Sequence, residues 1–548
     1  MSRAVLLLGS ALLFVACPAP APGPDAGPLT GDDAGPSGAC PAPSSAGDDV
    51  VVTPAGTFRG TAARIEGVRA FLGIPFAAPP TGARRFLPPA PAACPEGVVD
   101  AAAFGPLCPQ LDRSGDPVGD EDCLQLNVWA PESGERLPVL LFVHGGGNNQ
   151  GGAPVDAAGV PIYDGAELAA RGAVVVTTNY RLGALGYLVH PRLSEEDPRG
   201  TSGNYGLLDQ IAALEWVQRN IADFGGDPER VLLFGESAGG VNTCALLTSP
   251  KAEGLFARAL IESGGCAASS RANAEAAGAG LVDAAGCAGD DPIGCLRGLA
   301  PAELLGALPQ EVSGLVSADF GPSVDDDVLP RAPSEALFAG DFHDLPVVLG
   351  TNADETASFL VPATVDTEEE YLQAARNFLR GAGVLSPTTQ DAILAAYPAS
   401  AFASPWHAMV ALTTDWRWTC AARLYLGALD AGASSETYRY FFTQGLDGAS
   451  APVLSRLGAY HAIELFYLFG SLEVGGYVPT DDDLALSDAM QRYWVGFAAT
   501  GSPNAEGLPV WPTWSADSDA YLELGTPIAA GEGVRTERCD ALLAALGG

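Results

Sequence analysis

Lysine is all but missing: the chain has 28 basic residues against 66 acidic ones, a formal charge of −38, and Lys251 is its only lysine. A surface this anionic cannot displace counterions from phosphate, which excludes nucleic acid and anionic membrane faces as partners. The acidity reads as the solubility of an exported protein rather than as steering of a cationic substrate. Other absences narrow the chemistry. There is no Cys-x-x-Cys pair and no histidine cluster, so no metal is expected. No dinucleotide fingerprint or P-loop is present, and no cofactor is expected. Beyond the first seventeen residues no run of eighteen apolar residues occurs, which excludes a spanning helix there.

Met1-Ser-Arg3, the apolar run Ala4 to Val15 and then Ala16-Cys17 look like a secretion signal with a short basic start and a small residue before cysteine. The pattern resembles bacterial lipoprotein signals, with Cys17 the lipidated residue and Phe14 where leucine is usual; a plain secretory signal is the alternative. Residues 17–48 are rich in Pro, Ala, Gly and Asp and cannot bury enough apolar surface to fold, so they are expected to be a tether. The expected organisation is therefore a leader over 1–16, a tether over 17–48 and one large domain over 49–548.

With Cys17 set aside, an even number of cysteines remains, which in an exported chain favours disulfides. Cys108 and Cys123 would close a short loop, and Cys287 and Cys295 a shorter one. Apolar runs recur at Pro138 to Val143, Ala173 to Thr178, Val231 to Phe234, Ala257 to Glu262, Leu345 to Gly350 and Tyr438 to Thr443. Helical segments lie between them, among them Leu207 to Ile221, whose apolar residues follow a helical period. Continuous apolar strands alternating with helices predict an α/β protein with a mostly parallel sheet covered on both faces.

Val231-Leu-Leu-Phe-Gly235-Glu236-Ser237-Ala238-Gly239-Gly240 carries the chemistry. A serine between a strand and a helix, with glycines two before and two after, is exposed on a strained turn as a nucleophile. Upstream, the strand ending at Val143 runs into His144-Gly145-Gly146-Gly147-Asn148, a glycine loop of the kind that supplies oxyanion-hole amides. The chain has five histidines. His144 belongs to the glycine loop, His190 precedes a proline, His343 precedes a strand and His407 beside Trp406 reads as packing or surface. The choice of a histidine partner for the serine is therefore narrow, with His461 among the candidates.

These motifs resemble the type-B carboxylesterase family, the α/β-hydrolases that include cholinesterases and fungal lipases. Further matches are Glu121-Asp-Cys123-Leu-Gln-Leu-Asn127-Val, Asn179-Tyr-Arg181-Leu-Gly-Ala-Leu-Gly186, Gly203-Asn-Tyr-Gly-Leu-Leu-Asp209, Phe224-Gly-Gly-Asp227-Pro228 and Tyr493-Trp494. The resemblance runs from about Asp49 to the C-terminus. It implies an α/β-hydrolase fold, hydrolysis of carboxylic esters, and a triad of Ser237, Glu355 and His461. Asp354 competes locally for the acid role. Gly146, Gly147 and Ala238 would form the oxyanion hole. Glu236 and Glu464 match acidic positions of the family, with a surface or ion-pair role as open as a catalytic one. The implied disulfides are Cys108–Cys123, Cys287–Cys295 and Cys420–Cys539. Cys40, Cys94, Cys244 and Cys266 receive no partner this way, although Cys244 and Cys266 could pair if the helix after Ser237 and the next strand meet at their ends.

The chain also departs from the family. In cholinesterases the loop matching Cys108 to Cys123 supplies a tryptophan that binds a quaternary ammonium; here that loop has no aromatic residue, so choline esters are not expected. The loop is mostly polar, unlike an apolar lipase lid, which favours small or medium esters. The segment Leu315 to Pro322 keeps only Phe320 of the acyl-pocket aromatics, implying a roomier acyl site. Besides lipase, the alternative is a catalytically inactive adhesion or scaffold protein of this fold.

Overall fold

The computed structural model describes residues 39–41, 50–157, 160–308, 320–361, 363–446 and 454–547. The expected leader, Cys17, the expected tether apart from 39–41, and residues 315–319 lie outside the described residues.

Eleven strands form the main sheet. In chain order they are β1 (Thr61–Ala62), β2 (Val68–Pro75), β3 (Gln125–Pro131), β4 (Leu137–Val143), β5 (Val174–Thr178), β6 (Gly226–Glu236), β7 (Arg258–Glu262), β8 (Val347–Asn352), β9 (Thr437–Phe442), β10 (Ala520–Leu524) and β11 (Ala529–Glu532). Their spatial order is β11-β10-β9-β8-β7-β6-β4-β5-β3-β2-β1. From β10 across to β5 neighbouring strands are parallel, and antiparallel pairs finish both edges.

Both faces of the central strands are buried, which explains runs without polar alternation. Val139, Leu141 and Val143 of β4 join one apolar core, with Val231 and Leu233 of β6. Their neighbours Leu140, Phe142, Leu232 and Phe234 join the core on the opposite face. Helix α1 (Tyr205–Asn220) covers the first face through Leu207, Ile211, Leu214 and Val217. Helix α2 (Ala238–Leu247) lies on that face too. Helix α3 (Asp481–Thr500) covers the second with Leu486, Met490, Tyr493, Trp494 and Phe497, a stripe at helical spacing.

A third apolar cluster, around Tyr371, Tyr397, Trp406 and Trp416, gathers the helices Glu368–Gly381, Pro387–Leu394 and Pro405–Thr414. The chain passes from the last of these into Cys420–Gly432 through one π-helical turn, Asp415–Thr419. Buried Asp415 fixes that turn, accepting from Arg535 Nη1 at 2.7 Å and from Tyr397 Oη at 3.1 Å.

Five disulfides join Cys40–Cys94, Cys108–Cys123, Cys244–Cys266, Cys287–Cys295 and Cys420–Cys539. Three pair the cysteines that the family resemblance implies. Cys244 and Cys266 pair because α2 returns its middle to the segment after β7, and Cys94 fastens residue 40 to the folded body. Among the described residues no helix is long and apolar enough to cross a membrane.

A cross-link restricts the unfolded chain more as its loop lengthens. Removing Cys420–Cys539, which spans 119 residues, by Cys420→Ser with Cys539→Ser should cost about 2 to 5 kcal/mol in denaturant unfolding. Loss of Cys287–Cys295, which spans 8, should cost less; the reverse ranking would contradict the entropic account.

Candidate active site

Ser237 sits where β6 gives way to α2, with φ 56° and ψ −119°, a conformation costly for any residue with a Cβ. Its amide donates to Glu262 O at 2.9 Å, and its carbonyl accepts the Val241 N–H at 2.9 Å. The flanking glycines are demanded by contact. A Cβ on Gly239 would fall 2.0 Å from the carbonyl oxygen of Val143, and one on Gly235 would fall 2.5 Å from the Gly239 carbonyl carbon. The serine is thus lifted off the sheet because the backbone of α2 lies directly against the end of β4.

The glycine loop folds over the same point. A Cβ on Gly145 would lie 3.0 Å from the Ser237 Cβ and 2.6 Å from Glu236 Oε2, so this position must stay bare. Gly146 and Gly147 adopt φ of 104° and 65°, within the left-handed half of backbone space that glycine reaches without strain. Among the described residues the N–H groups of Gly146, Gly147 and Ala238 have no protein acceptor. His144 lies beneath the loop, stacked on Tyr180 at 4.4 Å. Burial lowers its pKa to about 4, so it stays neutral.

Glu355 and His461 come from distant segments and meet directly. The imidazole Nδ1–H donates to Glu355 Oε2 at 2.6 Å, and the Asn352 amide at the end of β8 holds Glu355 Oε1 at 2.8 Å. Glu355 is fully buried. Asp354 turns elsewhere, accepting from the Ala459 amide at 3.1 Å. The imidazole ring packs against Trp418 of the π turn at 5.1 Å and Phe359 at 5.2 Å, and Trp418 is anchored by Nε1–H donating to Ser263 O at 2.6 Å. Its Nε2 lies 3.2 Å from Glu236 Oε1, the residue immediately before Ser237. No hydrogen bond joins Ser237 to His461 among the described contacts; the imidazole faces the Glu236 carboxylate instead.

Glu236 and Glu464 are both buried, so a surface role is ruled out for either. They belong with Glu262 to a carboxylate cluster behind His461. Parallel register sets Glu236 of β6 beside Glu262 of β7, then Gly350 of β8, then Tyr440 of β9, in one row. The gap at Gly350 is filled by the Tyr440 ring, which a Cβ there would meet at 1.9 Å. Trp494 of α3 donates Nε1–H to Glu262 Oε1 at 3.0 Å, and Asn352 Nδ2 donates to Glu464.

Burial raises the pKa of Glu236 to about 7 and of Glu464 to about 8, with neighbouring carboxylates adding to each, while His461 lowers them. Glu262 is pushed well up by burial and by Glu464 and Glu236. Burial disfavours the His461 imidazolium, but the Glu236 charge and the Glu355 hydrogen bond outweigh it and raise its pKa to about 9. The cluster therefore keeps protons that free side chains would have released.

Sequence reasoning missed Glu262, Tyr440, Trp418 and Phe359. Only strand register exposes the first two: Glu262 ends β7, and Tyr440 lies inside β9. The other histidines lie away from this cluster: His190 caps the helix Pro191–Glu196, His343 Nε2 contacts Ser249 O at 2.9 Å, and His407 Nδ1 contacts Ser404 Oγ at 2.8 Å. Phe320 is buried. Among the described residues no group could hold a metal ion.

A parallel sheet with a serine at a strand-to-helix turn, a buried acid and a histidine from later connections defines an α/β-hydrolase. The chain belongs to the carboxylesterase family, which it matches over residues 47–542, and it is a carboxylic ester hydrolase. It is 37% identical over 507 residues to a fumonisin B1 esterase of Sphingopyxis macrogoltabida, covering 87% of each chain. It is 34% identical to the para-nitrobenzyl esterase of Bacillus subtilis (strain 168) over 91% of this chain and 99% of that one. A solved PNB esterase structure superposes with a TM-score of 0.76 at 34% identity, covering 90% of this chain and 99% of the other.

Raised pKa values on Glu236, Glu464 and His461 mean that the folded state binds more protons than the unfolded one between about pH 4.5 and 9. Their contribution is complete at low pH and is lost as pH rises through the folded values. The melting temperature should fall from pH 5 to 9, and Glu464→Gln should flatten that slope. An unchanged slope in the variant would refute proton retention by Glu464.

Proposed function

We propose that the chain hydrolyses carboxylic esters through an acyl-enzyme intermediate on Ser237. His461 Nε2 takes the hydroxyl proton as Oγ bonds to the ester carbonyl carbon, and then delivers it to the departing alkoxide. Glu355 holds the imidazole through Nδ1–H and stabilises its cationic form. The amides of Gly146, Gly147 and Ala238 hold the oxyanion. Water, activated by the same histidine, cleaves the acyl-enzyme and returns the proton to Ser237. The observation that carries this reading is the 2.6 Å Glu355–His461 bond beside the strained Ser237 turn. Glu236 accounts for the resting position of the imidazole: its Oε1 lies 3.2 Å from Nε2, and the two attract by charge without a hydrogen bond between them.

The preferred substrates are small or medium esters, supported by the polar Cys108–Cys123 loop and its lack of an aromatic cation site. The names of the relatives, acting on fumonisin B1 and para-nitrobenzyl esters, favour an esterase over a lipase or an inactive scaffold protein. Five disulfides suit an oxidising, extracytoplasmic compartment. Cleavage before Cys17 with lipidation of its thiol would tether the domain over 49–548 to a membrane through residues 17–48.

p-Nitrophenyl esters of graded acyl length, tested on the protein and on Ser237→Ala, check the site and the chain-length preference. Loss of at least 10⁴-fold in kcat is expected for the variant, given the size of nucleophile deletions. Retained turnover would refute the assignment. Mass spectrometry of the mature N-terminus should find a diacylated Cys17, and an unmodified thiol would dismiss the anchor.

A further inference from the structure

Asn148 ends the glycine loop with φ 59° and 5% exposure, a left-handed backbone that asparagine tolerates better than most residues. Its carbonyl accepts the Gly183 N–H at 2.6 Å. Its side-chain Oδ1 accepts from Asn242 Nδ2 at 2.9 Å and from Tyr187 Oη at 3.3 Å. Asn242 is fully buried in α2, one turn beyond Ala238 and on the same helix face. The helix that presents one oxyanion amide is therefore bonded, side chain to side chain, to the loop that presents the other two.

Asn242 has a second feature. Its own Oδ1 is buried without a partner. A side chain without that acceptor would avoid its desolvation penalty. The Asn242 Nδ2 bond reaches this loop, and its side chain also interacts with the Tyr180 and Tyr187 hydroxyls that pack beside it.

We infer that Asn148 and Asn242 form a positioning pair that locks the Gly146–Gly147 amides at a fixed separation from the Ala238 amide. This rests on the oxyanion hole proposed above. Neither side chain touches the ester; both act through the backbone that carries the donors. The pair matters most when negative charge has developed on the carbonyl oxygen, so its loss is felt in kcat and not in KM.

The test uses p-nitrophenyl butyrate hydrolysis and inhibition by an aryl trifluoromethyl ketone, which adds to the serine and puts charge into the hole. Asn242→Ala and Asn148→Gly, the latter keeping the backbone conformation, should each lower kcat by roughly 10- to 100-fold with KM within about threefold. Ketone affinity should fall in parallel. The double variant should be no worse than Asn148→Gly alone by more than about threefold, because that variant already removes the Asn242 bond together with the longer Tyr187 contact. If Asn242→Ala fails to fold, Asn242→Leu, of similar size but without a hydrogen-bond donor, is read in its place, with Tyr187→Phe removing the second donor. Either single variant with kcat within twofold of the parent, multiplicative losses in the double, or a change confined to KM would overturn the pairing. A Ser237→Ala protein that still turned over would instead overturn the underlying mechanism, so the two failures are distinct.

Discussion

The candidate site depends on one steric constraint, the contact of the α2 backbone with the ends of β4 and β7. Gly239 meets Val143 O, and Gly240 would place a Cβ 2.9 Å from both Glu262 O and Gly264 Cα. With no side chain between them, helix and strands approach to van der Waals distance, and Ser237 has no room for an ordinary turn. Its φ of 56° follows. Strain of this kind costs about 1 to 3 kcal/mol and persists only when the surroundings over-determine it. Here the sheet does so, through the Ser237 N–H bond to Glu262 O and through two cores clamping β6 from opposite faces.

The same contact explains the carboxylates. Because β6 and β7 end level with each other, Glu236 and Glu262 lie side by side in low dielectric with no arginine or lysine among the groups that perturb them. Both ionised at once would be unfavourable, and protons offset the repulsion. The group thereby acts as a buffer behind the imidazole, with the His461 and Glu236 charges setting one another. Trp418 and Phe359 complete the enclosure by excluding water from the ring's flanks.

Much of this was legible in the sequence because the relevant signals are local. Fully buried strands read as apolar runs, so β4 to β9 stand out. The edge strands do not: Ala529–Glu532 is mostly exposed and has no pattern of its own, and Thr61–Ala62 is two exposed residues. Ser237 and the glycine loop lie on turns whose residue types announce their geometry, whereas Glu355 is reached only through the family resemblance. Glu262 and Tyr440 are invisible that way, since their proximity comes from register across three parallel pairings and from the bare position at Gly350. The π turn at Asp415–Thr419 is likewise imposed by partners distant in the chain, Tyr397 and Arg535, and nothing within Asp-Trp-Arg-Trp-Thr signals it. Cys40–Cys94 is of the same kind, a closure between segments 54 residues apart.

Lys251, paired with Asp327 at 3.0 Å and about one-third exposed, carries the only side-chain amine of the molecule. It lies just past the C-terminal end of α2, whose opposite end is Ser237, and ten residues of helix put about 15 Å between them. With the chain's α-amine blocked, amine-directed coupling to a solid support would therefore grip every molecule at one address on the far end of that helix. The protein attached in this way would be uniformly oriented, with the Ser237 end of the helix left open to solution.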